Sequence, residues 1–299
     1  LPKLCSARLV RTLQIFADDE GSFFLDDNNM FGIIPKRASD KFFLLASLNS
    51  PVASFVFQRT ARPKASGYFQ ADRQFLAPLP IPDATDEEKR AIGEQAKRLQ
   101  KLHTNRRDLV DKLERRLRSS QMTDDKRKNS WLWADAKSAA EYKKSQEKPE
   151  DLKGRALTAW AKQRADSALD NHLVELDARL DAGAVVTVEN TDDELRLLIN
   201  GVRVVELYDQ PHTPFIAAQW RQFARTTNIT EKFDGKKLVA ALTKLRATAD
   251  ANLRAAVVTL DSGIQSIDGE ILAAESAINT DIYNLYGLTN DEIALVEEG

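Results

Sequence analysis

The chain has 299 residues, more than a typical single compact domain, and this length favours two or three folded units. Hydrophobic residues make up 42% and charged residues 29%, values typical of a folded protein and not of a disordered one. A single cysteine, Cys5, excludes an internal disulfide and a cysteine-rich zinc site. The single cysteine makes a reducing cytoplasm the simplest compartment. No apolar run is long enough to cross a membrane, so we expect no membrane partner.

The net charge of -2 conceals an uneven distribution of charge along the chain. From Lys97 to Arg118, nine basic residues stand against three acidic ones. From Asp250 to the end, Arg254 is the only basic residue and ten residues are acidic. The overall charge argues weakly against nucleic-acid binding, but charge that is sorted in this way leaves room for local cationic surfaces.

Residues 1–82 are predicted to form a first unit of strands, turns and helix. The short apolar runs Phe23–Leu25 and Phe31–Ile34 are broken by turn-forming residues, which indicates strands. Lys41–Phe57 has the spacing of a helix, which Pro51 must bend or restart. Alternating prolines fit neither a helix nor a central strand, so the unit is predicted to end in a stiff extended arm at Pro78, Pro80 and Pro82.

Two long helices are predicted, at 83–120 and at 248–285. Thr85 and Glu88 form a capping box at the start of the first helix. Apolar residues in both segments alternate in spacings of four and three, which is typical of heptads. Because stripes of this length must be buried and the flanking charges are opposite, we expect an antiparallel two-helix coiled coil. A second interpretation is two separate amphipathic helices that belong to different cores. The first seam comprises Ile92, Ala96, Leu99, His103, Arg106, Val110, Leu113 and Leu117.

Residues 130–245, between the two arms, are predicted to form an α+β insert at the tip of the coiled coil. Ala156–Leu180 has the pattern of an amphipathic helix, and Ala184–Glu189 alternates as a strand does. Leu195–Ile199 and Val202–Leu207 flank Asn-Gly, the strongest short hairpin signal. The fold class is therefore α+β and predominantly helical, and residues 286–299 form a C-terminal tail.

Catalytic and metal-binding patterns are missing from the sequence. It contains neither a Gly-rich cofactor loop nor the Asn-Pro-Pro-aromatic tetrapeptide that amino-methyltransferases need. His103, His172 and His212 are far apart and lack partners at ligand spacing, so we expect no metal site. Asp192 and Asp193 with Glu194 form an acidic group at a turn, which favours a loop over a nuclease centre. We therefore predict no catalytic residue and leave enzyme activity of this chain open.

Segment Phe57–Phe75 combines cationic, hydrogen-bonding and aromatic residues and contains one acidic residue. Arginine and lysine contact DNA phosphates, and arginine and glutamine also read base edges in the major groove. Composition alone leaves a second interpretation, a solvated basic loop held by aromatic anchors in the core. The candidate DNA-binding residues are Arg59, Thr60, Arg62, Lys64, Ser66, Tyr68, Arg73 and Gln74.

Three stretches resemble a known family. The family is that of the target-recognition regions in type IIG restriction-modification enzymes and related adenine-N6 DNA methyltransferases. The Leu-Asn-Ser helix of these regions is similar to residues 42–58, FFLLASLNSPVASFVFQ. Their Leu-Pro-Ile-Pro exit is similar to residues 67–82, GYFQADRQFLAPLPIP. The end of the chain resembles the closing motif of that family. The matching residues there are Asp281, Ile282, Tyr283, Leu285, Tyr286, Gly287, Leu288, Thr289, Glu292 and Ile293.

This resemblance implies that residues 1–82 are a target-recognition unit that binds double-stranded DNA. It also implies an upstream methyltransferase domain in the same polypeptide, with S-adenosylmethionine as its cofactor, and leaves open whether a nuclease domain precedes it. No cofactor is expected in this chain itself. Because the chain begins with Leu1 and not with Met, we expect a processed product or a fragment.

Two other functions remain open at this stage. A separate specificity subunit of the type I kind would bind free methyltransferase subunits, and it predicts a second recognition domain within 130–245. A coiled-coil scaffold unrelated to DNA would agree with the negative net charge. Salt-dependent binding to duplex DNA distinguishes the scaffold from both recognition functions, because phosphate contacts make affinity depend steeply on salt.

Overall fold

The computed structural model describes residues 1–22, 29–126, 137–180, 185–191, 194–208, 212–227, 229 and 233–298. The predicted strand Phe23–Leu25 and the Asp192-Asp193 pair lie outside the described residues. The described chain is α+β and mostly helical, with small antiparallel sheets, as the sequence predicts. It divides into a first unit, Leu1–Arg107 with Gln265–Gly299, and a second unit, Asp108–Ile264.

The first unit contains a three-stranded antiparallel sheet in the order β3-β1-β4, formed by Lys3–Ala7 (β1), Ile15–Asp18 (β3) and Met30–Ile33 (β4). The facing residues Lys3 and Asp18 form a buried ion pair of 2.6 Å. A separate pair of short strands joins Leu9–Val10 (β2) to Phe69–Gln70 (β5). This second pairing connects the start of the chain to the predicted DNA-binding segment.

Helices Lys41–Asn49 (α1), Pro51–Thr60 (α2) and Arg73–Leu76 (α3) complete the N-terminal part of this unit. Pro51 starts a new helix, as expected of a residue that cannot continue the preceding one. The helices and strands share one apolar core, whose buried members include Leu4, Ile15, Leu45, Leu48, Phe57, Ala71 and Leu79.

The two long helices run over Asp86–Leu117 (α4) and Ala251–Tyr286 (α9), close to the predicted bounds. The predicted capping box is present: the Thr85 hydroxyl accepts from the Glu88 backbone N–H at 3.2 Å, and Glu88 accepts from the Thr85 N–H at 2.7 Å. The hydrogen bond from the Thr85 backbone holds the pKa of Glu88 below its usual value. This cap explains why α4 begins where it does.

Within the first unit, the segments of α4 and α9 pack against each other in opposite directions. Gln95 donates to Asp281 at 2.9 Å, and Arg106, further along α4, pairs with Asp268, which comes earlier in α9. His103, which was predicted on the apolar seam, is half exposed and lies 3.4 Å from Glu275. Because burying the polar imidazole without a partner is unfavourable, His103 lies at the edge of the packed surface in contact with solvent and not within the apolar seam.

The C-terminal residues, predicted as a tail, form a last helix, Asn290–Glu297 (α10), after a turn at Gly287 with φ of 67°. Thr289 and Glu292 cap this helix reciprocally. Helix α10 packs against α2, and the Tyr286 hydroxyl donates to the Pro80 carbonyl at 2.8 Å. Burial raises the pKa of Tyr286 to about 12. The closing motif thus contacts the Pro-rich exit of the first unit.

The second unit has its own core. Strands Val186–Asn190 (β7), Glu194–Ile199 (β8) and Val202–Tyr208 (β9) form an antiparallel sheet in chain order, and Asn200-Gly201 makes the predicted hairpin turn. Thr123–Lys126 (β6) pairs with Lys244–Ala247 (β10). The helices of this unit are Ala139–Tyr142 (α5), Gly154–Arg179 (α6), Thr213–Thr226 (α7) and Gly235–Leu242 (α8).

Trp220 fixes the centre of the second core. Its side chain is 1% exposed, and its indole N–H donates to the Leu242 carbonyl at 3.1 Å, which joins α7 to the end of α8. A buried polar cluster lies on another side of α7. There Asp261 of α9 accepts from Arg221 and Arg225, each at 2.7 Å, and all three side chains are largely buried. These contacts hold α7 between the sheet and α9.

Candidate nucleic-acid interface

The Leu-Asn-Ser sequence at the end of α1 fixes the start of the candidate interface. Leu48 is buried in the core. Asn49 accepts a hydrogen bond from the Ile15 N–H and donates to the Ile15 carbonyl, both at 2.8 Å. Ser50 caps α2 by accepting from the Ala53 N–H at 3.2 Å. Each residue of the tripeptide therefore has a separate structural role in placing α2.

Residues 61–71 form a narrow hairpin that follows α2. The Lys64 N–H donates to the Tyr68 carbonyl at 2.7 Å, and the Gln70 N–H donates to the Arg62 carbonyl at 3.0 Å. At the tip, Ser66 and Gly67 have φ of 61° and 72°. Two consecutive positive φ angles are those of a type I′ turn, whose twist matches paired strands. The backbone therefore holds the loop in one defined conformation.

The base of the hairpin is anchored in the core of the first unit. Phe57 is fully buried, and its ring lies 6.1 Å from the ring of Phe69 in an edge-to-face arrangement. Ala61 and Ala71, on the two sides of the hairpin, are also buried. Asp72 pairs with Arg8 at 3.2 Å and accepts a hydrogen bond from Gln70. Apolar residues at the base of the segment thus face inward, and its polar candidate residues stay on the surface.

All eight candidate residues are exposed, and the structure brings them to one hairpin and its two flanking helices. The side chains of Arg59 and Thr60 already form hydrogen bonds within α2. They donate to the carbonyls of Phe55 and Val56 at 3.2 Å and 2.8 Å, respectively. The Arg59 guanidinium also lies 3.4 Å from the centre of the Phe55 ring. These two residues are therefore less available to a ligand than the other six.

The cations on the hairpin have a different environment. Within the described part of the chain, Arg62, Lys64 and Arg73 form no ion pair. Gln74 and Arg73 lie on the short helix α3, directly after the hairpin. Three exposed cations without carboxylate partners give this surface a positive potential in a chain whose net charge is -2. Such a surface is suited to bind a polyanion.

Sequence reasoning missed one residue of this surface, Arg11. It follows β2, which pairs with β5 of the hairpin, and its guanidinium carbon lies 5.1 Å from the centre of the Tyr68 ring. Arg11 is exposed, and its backbone carbonyl accepts from the Gln58 side chain at 3.1 Å. No local motif marks Arg11, because it reaches the hairpin only through pairing with a distant part of the chain.

A cleft of about 910 Å³ lies beside the hairpin within the first unit. Tyr68 and Arg11 stand at one part of its lining, and His103 and Glu275 stand at another. Most of the lining is apolar, contributed by residues such as Val10, Leu13, Leu45, Leu99 and Ile278. The cleft therefore places apolar side chains beside Tyr68 and Arg11.

The basic flank of α4 is only partly neutralised. Arg106 pairs with Asp268. Arg107, Arg115 and Arg116 are exposed and form no ion pair within the described residues. These cations lie on the helix surface and are available to solvent.

The described residues contain no group of three or more His, Cys, Asp or Glu side chains that could hold a metal ion. No helix in the described ranges combines the length and apolarity that crossing a membrane requires. Comparison with protein-family models, with curated proteins and with solved structures finds no match. The chemistry of the exposed hairpin is therefore the main guide to function.

Proposed function

We propose that residues 1–82 recognise a short sequence of double-stranded DNA. The observation that carries this proposal is the exposed hairpin with Arg62, Lys64 and Arg73, which form no ion pair within the described residues. Its base, formed by the buried Phe57 and the partly buried Phe69, keeps these cations on a defined backbone. A preorganised cationic surface binds phosphates with a smaller loss of conformational entropy than a flexible basic loop does.

The shape of the hairpin supports this proposal. The major groove of DNA, about 12 Å wide, admits a two-stranded ribbon. In the proposed complex, Lys64 on the ribbon contacts phosphate. Arg62 on the ribbon and Arg73 and Gln74 on α3 reach base edges, since arginine and glutamine can each make two hydrogen bonds to one base. Tyr68, Ser66 and Thr60 add further hydrogen-bonding groups. Phosphate contacts position the hairpin, and base contacts give it sequence preference.

The family resemblance supports the further proposal that this recognition unit belongs to a larger enzyme. In the proposed arrangement, an adenine-N6 methyltransferase domain precedes Leu1 in the same polypeptide and carries the S-adenosylmethionine site. An Asn-Pro-Pro-aromatic tetrapeptide encoded upstream of Leu1 would support this part of the proposal, and an upstream region without it would contradict it.

The long helices α4 and α9 have a proposed supporting role. Their apolar seams are spaced as heptads, and the contacts Gln95–Asp281 and Arg106–Asp268 run in the antiparallel sense. We propose that they form an antiparallel coiled coil that braces the recognition unit. The second unit has no assigned role in this proposal.

The test is duplex binding by the 299-residue chain, measured by fluorescence anisotropy. We expect the triple variant Arg62→Ala, Lys64→Ala, Arg73→Ala to lose roughly a hundred-fold or more in affinity, because each phosphate or base contact contributes about 1 kcal/mol or more. The matched control is Arg155→Ala, Lys162→Ala, Arg179→Ala, which removes the same charges from exposed positions on α6. We expect this control to bind as the unmodified chain does.

Four outcomes decide between the functions. Loss confined to the hairpin variant supports the proposal. Equal loss in both variants indicates attraction by overall charge and contradicts a defined recognition surface. Absence of salt-dependent binding by the unmodified chain favours a scaffold, and duplex binding that needs an added methyltransferase subunit favours a specificity subunit of the type I kind.

A further inference from the structure

A second cleft, of about 700 Å³, lies where the chain leaves the hairpin, within the first unit. Arg73 and Gln74, the first two residues of α3, line one part of it and are exposed. Phe31 of β4 lines another part, together with Ala77 and Pro78, which follow α3. The cleft thus places polar side chains of the candidate surface beside apolar ones.

The side-chain amide of Gln74 is available to a ligand in this cleft. Within the described part of the chain, it forms no hydrogen bond. The other two glutamines of the segment Phe57–Phe75 are already engaged, because Gln58 donates to the Arg11 carbonyl and Gln70 donates to Asp72. Gln74 therefore differs from both in having its donor and its acceptor groups open to a bound molecule.

Phe31 is an aromatic residue that the core leaves partly exposed. In the register of the first sheet, Phe31 lies opposite Ser6 and Ile33 lies opposite Leu4, so the two side chains share one face. Ile33 packs against the apolar core of the unit, whereas Phe31 lies outside that core and lines the cleft. Ligand sites typically combine apolar walls with a few placed polar groups, and this cleft has both.

We propose that this cleft reads one A·T pair in the major groove, with Gln74 on the adenine and Phe31 on the thymine methyl group, an inference that rests on the proposed function. Adenine presents N7 as an acceptor and N6 as a donor in that groove, and a glutamine amide complements both. Thymine presents its C5 methyl group in the same groove, where phenylalanine side chains make apolar contact with it.

The same two contacts discriminate against a G·C pair. Guanine presents two acceptors, O6 and N7, so the Gln74 carbonyl oxygen would face a second acceptor in place of a donor. Cytosine carries no methyl group, so Phe31 would lose its apolar contact. The acidic residue of the lining, Asp72, is paired with Arg8 at 3.2 Å, which reduces its repulsion of DNA phosphates.

The test removes one chemical group at a time from the DNA. The full chain first selects its site from a randomised duplex library, and deoxyuridine then replaces each thymidine of that site in turn. Uracil pairs with adenine as thymine does and lacks only the methyl group. We expect one position at which this replacement weakens binding by about four-fold, the effect of burying one methyl group.

Three variants assign the contacts at that position. In Phe31→Ala, the thymidine and deoxyuridine duplexes should bind equally, because the apolar contact is gone. Gln74→Ala should reduce the preference for adenine over guanine by roughly ten-fold and keep the response to the methyl group. Phe16→Ala is the matched control, since Phe16 is an exposed phenylalanine on the opposite face of the same sheet, and it should leave both preferences unchanged.

Each comparison is a ratio of two affinities measured with the same protein sample. A partly unfolded fraction of Phe31→Ala lowers both affinities equally and leaves the ratio unaffected. The comparison of thymidine with deoxyuridine in the unmodified chain needs no variant, so it tests the methyl contact even if Phe31→Ala does not fold.

The outcomes separate this inference from the function on which it rests. If the unmodified chain binds no duplex, both fail. If it selects a motif in which no thymidine responds to deoxyuridine, the inference is wrong while the proposed function stands. If Phe31→Ala keeps the response, or Phe16→Ala also loses it, the assignment to Phe31 is wrong. An unchanged adenine preference in Gln74→Ala would overturn the assignment to Gln74.

Discussion

The tip of the candidate hairpin and the tip of the β8–β9 hairpin have the same backbone conformation with different residues. Ser66 and Gly67 have φ of 61° and 72°, and Asn200 and Gly201 have φ of 51° and 73°. Asparagine enters the left-handed region more readily than serine does, because its short amide can bond locally. The candidate hairpin therefore carries backbone strain at Ser66 that the other hairpin avoids.

Replacing Ser66 with Asn is expected to stabilise the hairpin by several tenths of a kcal/mol, and Ser66→Val should destabilise it by about 1 kcal/mol or more. Hydrogen exchange of the Lys64 and Gln70 amides measures the effect, because both donate within the hairpin. Asn200→Ser is the reciprocal variant and should lower stability. Equal protection of the two amides in Ser66→Val and in the unmodified chain would contradict the strain.

Asn49 connects the Leu-Asn-Ser helix to the edge of the sheet. Its side chain makes hydrogen bonds to both polar groups of the Ile15 backbone, and Ile15 is buried. We expect Asn49→Ala to lower the free energy of unfolding by about 1–2 kcal/mol. Asn49→Asp should recover part of this loss, because a carboxylate accepts from the N–H but cannot donate to the carbonyl. Urea unfolding followed by circular dichroism measures both variants. An unchanged urea midpoint in Asn49→Ala would contradict the stabilising role of Asn49.

Three side-chain amides each form two hydrogen bonds to one strand residue, one to its backbone N–H and one to its carbonyl. Asn49 pairs with Ile15 and Gln100 pairs with Ala17, both on β3, which lies at the edge of its sheet. Gln219 pairs with Arg246 on β10. Each amide satisfies the backbone N–H and carbonyl that a further strand would otherwise occupy. Helices α1, α4 and α7 are thereby attached to short strands through single residues.

Local patterns predict the helices better than the sheets. The heptad spacing and the Thr85–Glu88 box give α4 and α9 to within a few residues, and Asn200-Gly201 gives the β8–β9 hairpin. The β2–β5 and β6–β10 pairs are not predictable in this way, because each joins very short strands from distant parts of the chain. The amide pairs on strand edges depend on tertiary contact and have no local pattern either.

The candidate site also has one part that the sequence predicts and another part that depends on tertiary contacts. The eight predicted residues lie in one continuous segment whose composition is visible in the sequence, and all are exposed. The interaction of Arg59 with Phe55 and the contribution of Arg11 depend on the packing of α2 and on the β2–β5 pair. A sequence pattern therefore identifies the surface but not which of its cations are already engaged.

Helix α9 carries two acidic residues whose environments predict losses of stability of different size on removal. Asp261 is 2% exposed and faces Arg221 and Arg225, whereas Asp268 is 37% exposed and faces Arg106. We expect Asp261→Ala to cost about 3–5 kcal/mol, because it leaves two buried cations unpaired. Asp268→Ala, the matched control on the same helix, should cost at most about 1 kcal/mol.

Tryptophan fluorescence is a suitable measurement for Asp261, since all four tryptophans fall in the sequence range of the second unit, Asp108–Ile264. A clear fall in the urea midpoint is expected for Asp261→Ala. Similar midpoints in Asp261→Ala and in the unmodified chain would show that the buried ion pairs contribute little.

At the scale of the whole molecule, function depends on where charge lies and not on its sum. The chain carries 43 basic and 45 acidic residues, so its long-range field does not attract DNA. From Asp250 to the end, ten acidic residues stand against a single basic one, Arg254. On the hairpin, the only acidic residue between Phe57 and Phe75 is Asp72, which is paired with Arg8. Binding must therefore come from a small group of cations, which limits how many counterions it can release.

This limit gives a quantitative prediction for the salt dependence of duplex binding. Each phosphate neutralised on B-DNA contributes about -0.9 to the slope of log affinity against log salt concentration. If Arg62 and Arg73 neutralised phosphates instead of reading bases, the slope would be about -3. With Lys64 as the phosphate contact, the slope should be about -1, and replacing Lys64 with Ala should reduce its magnitude by about 1. Arg155→Ala on α6 should leave it unchanged. A steep slope that Lys64→Ala does not alter would place the phosphate contacts elsewhere, with Arg107 on α4 the next cation to replace.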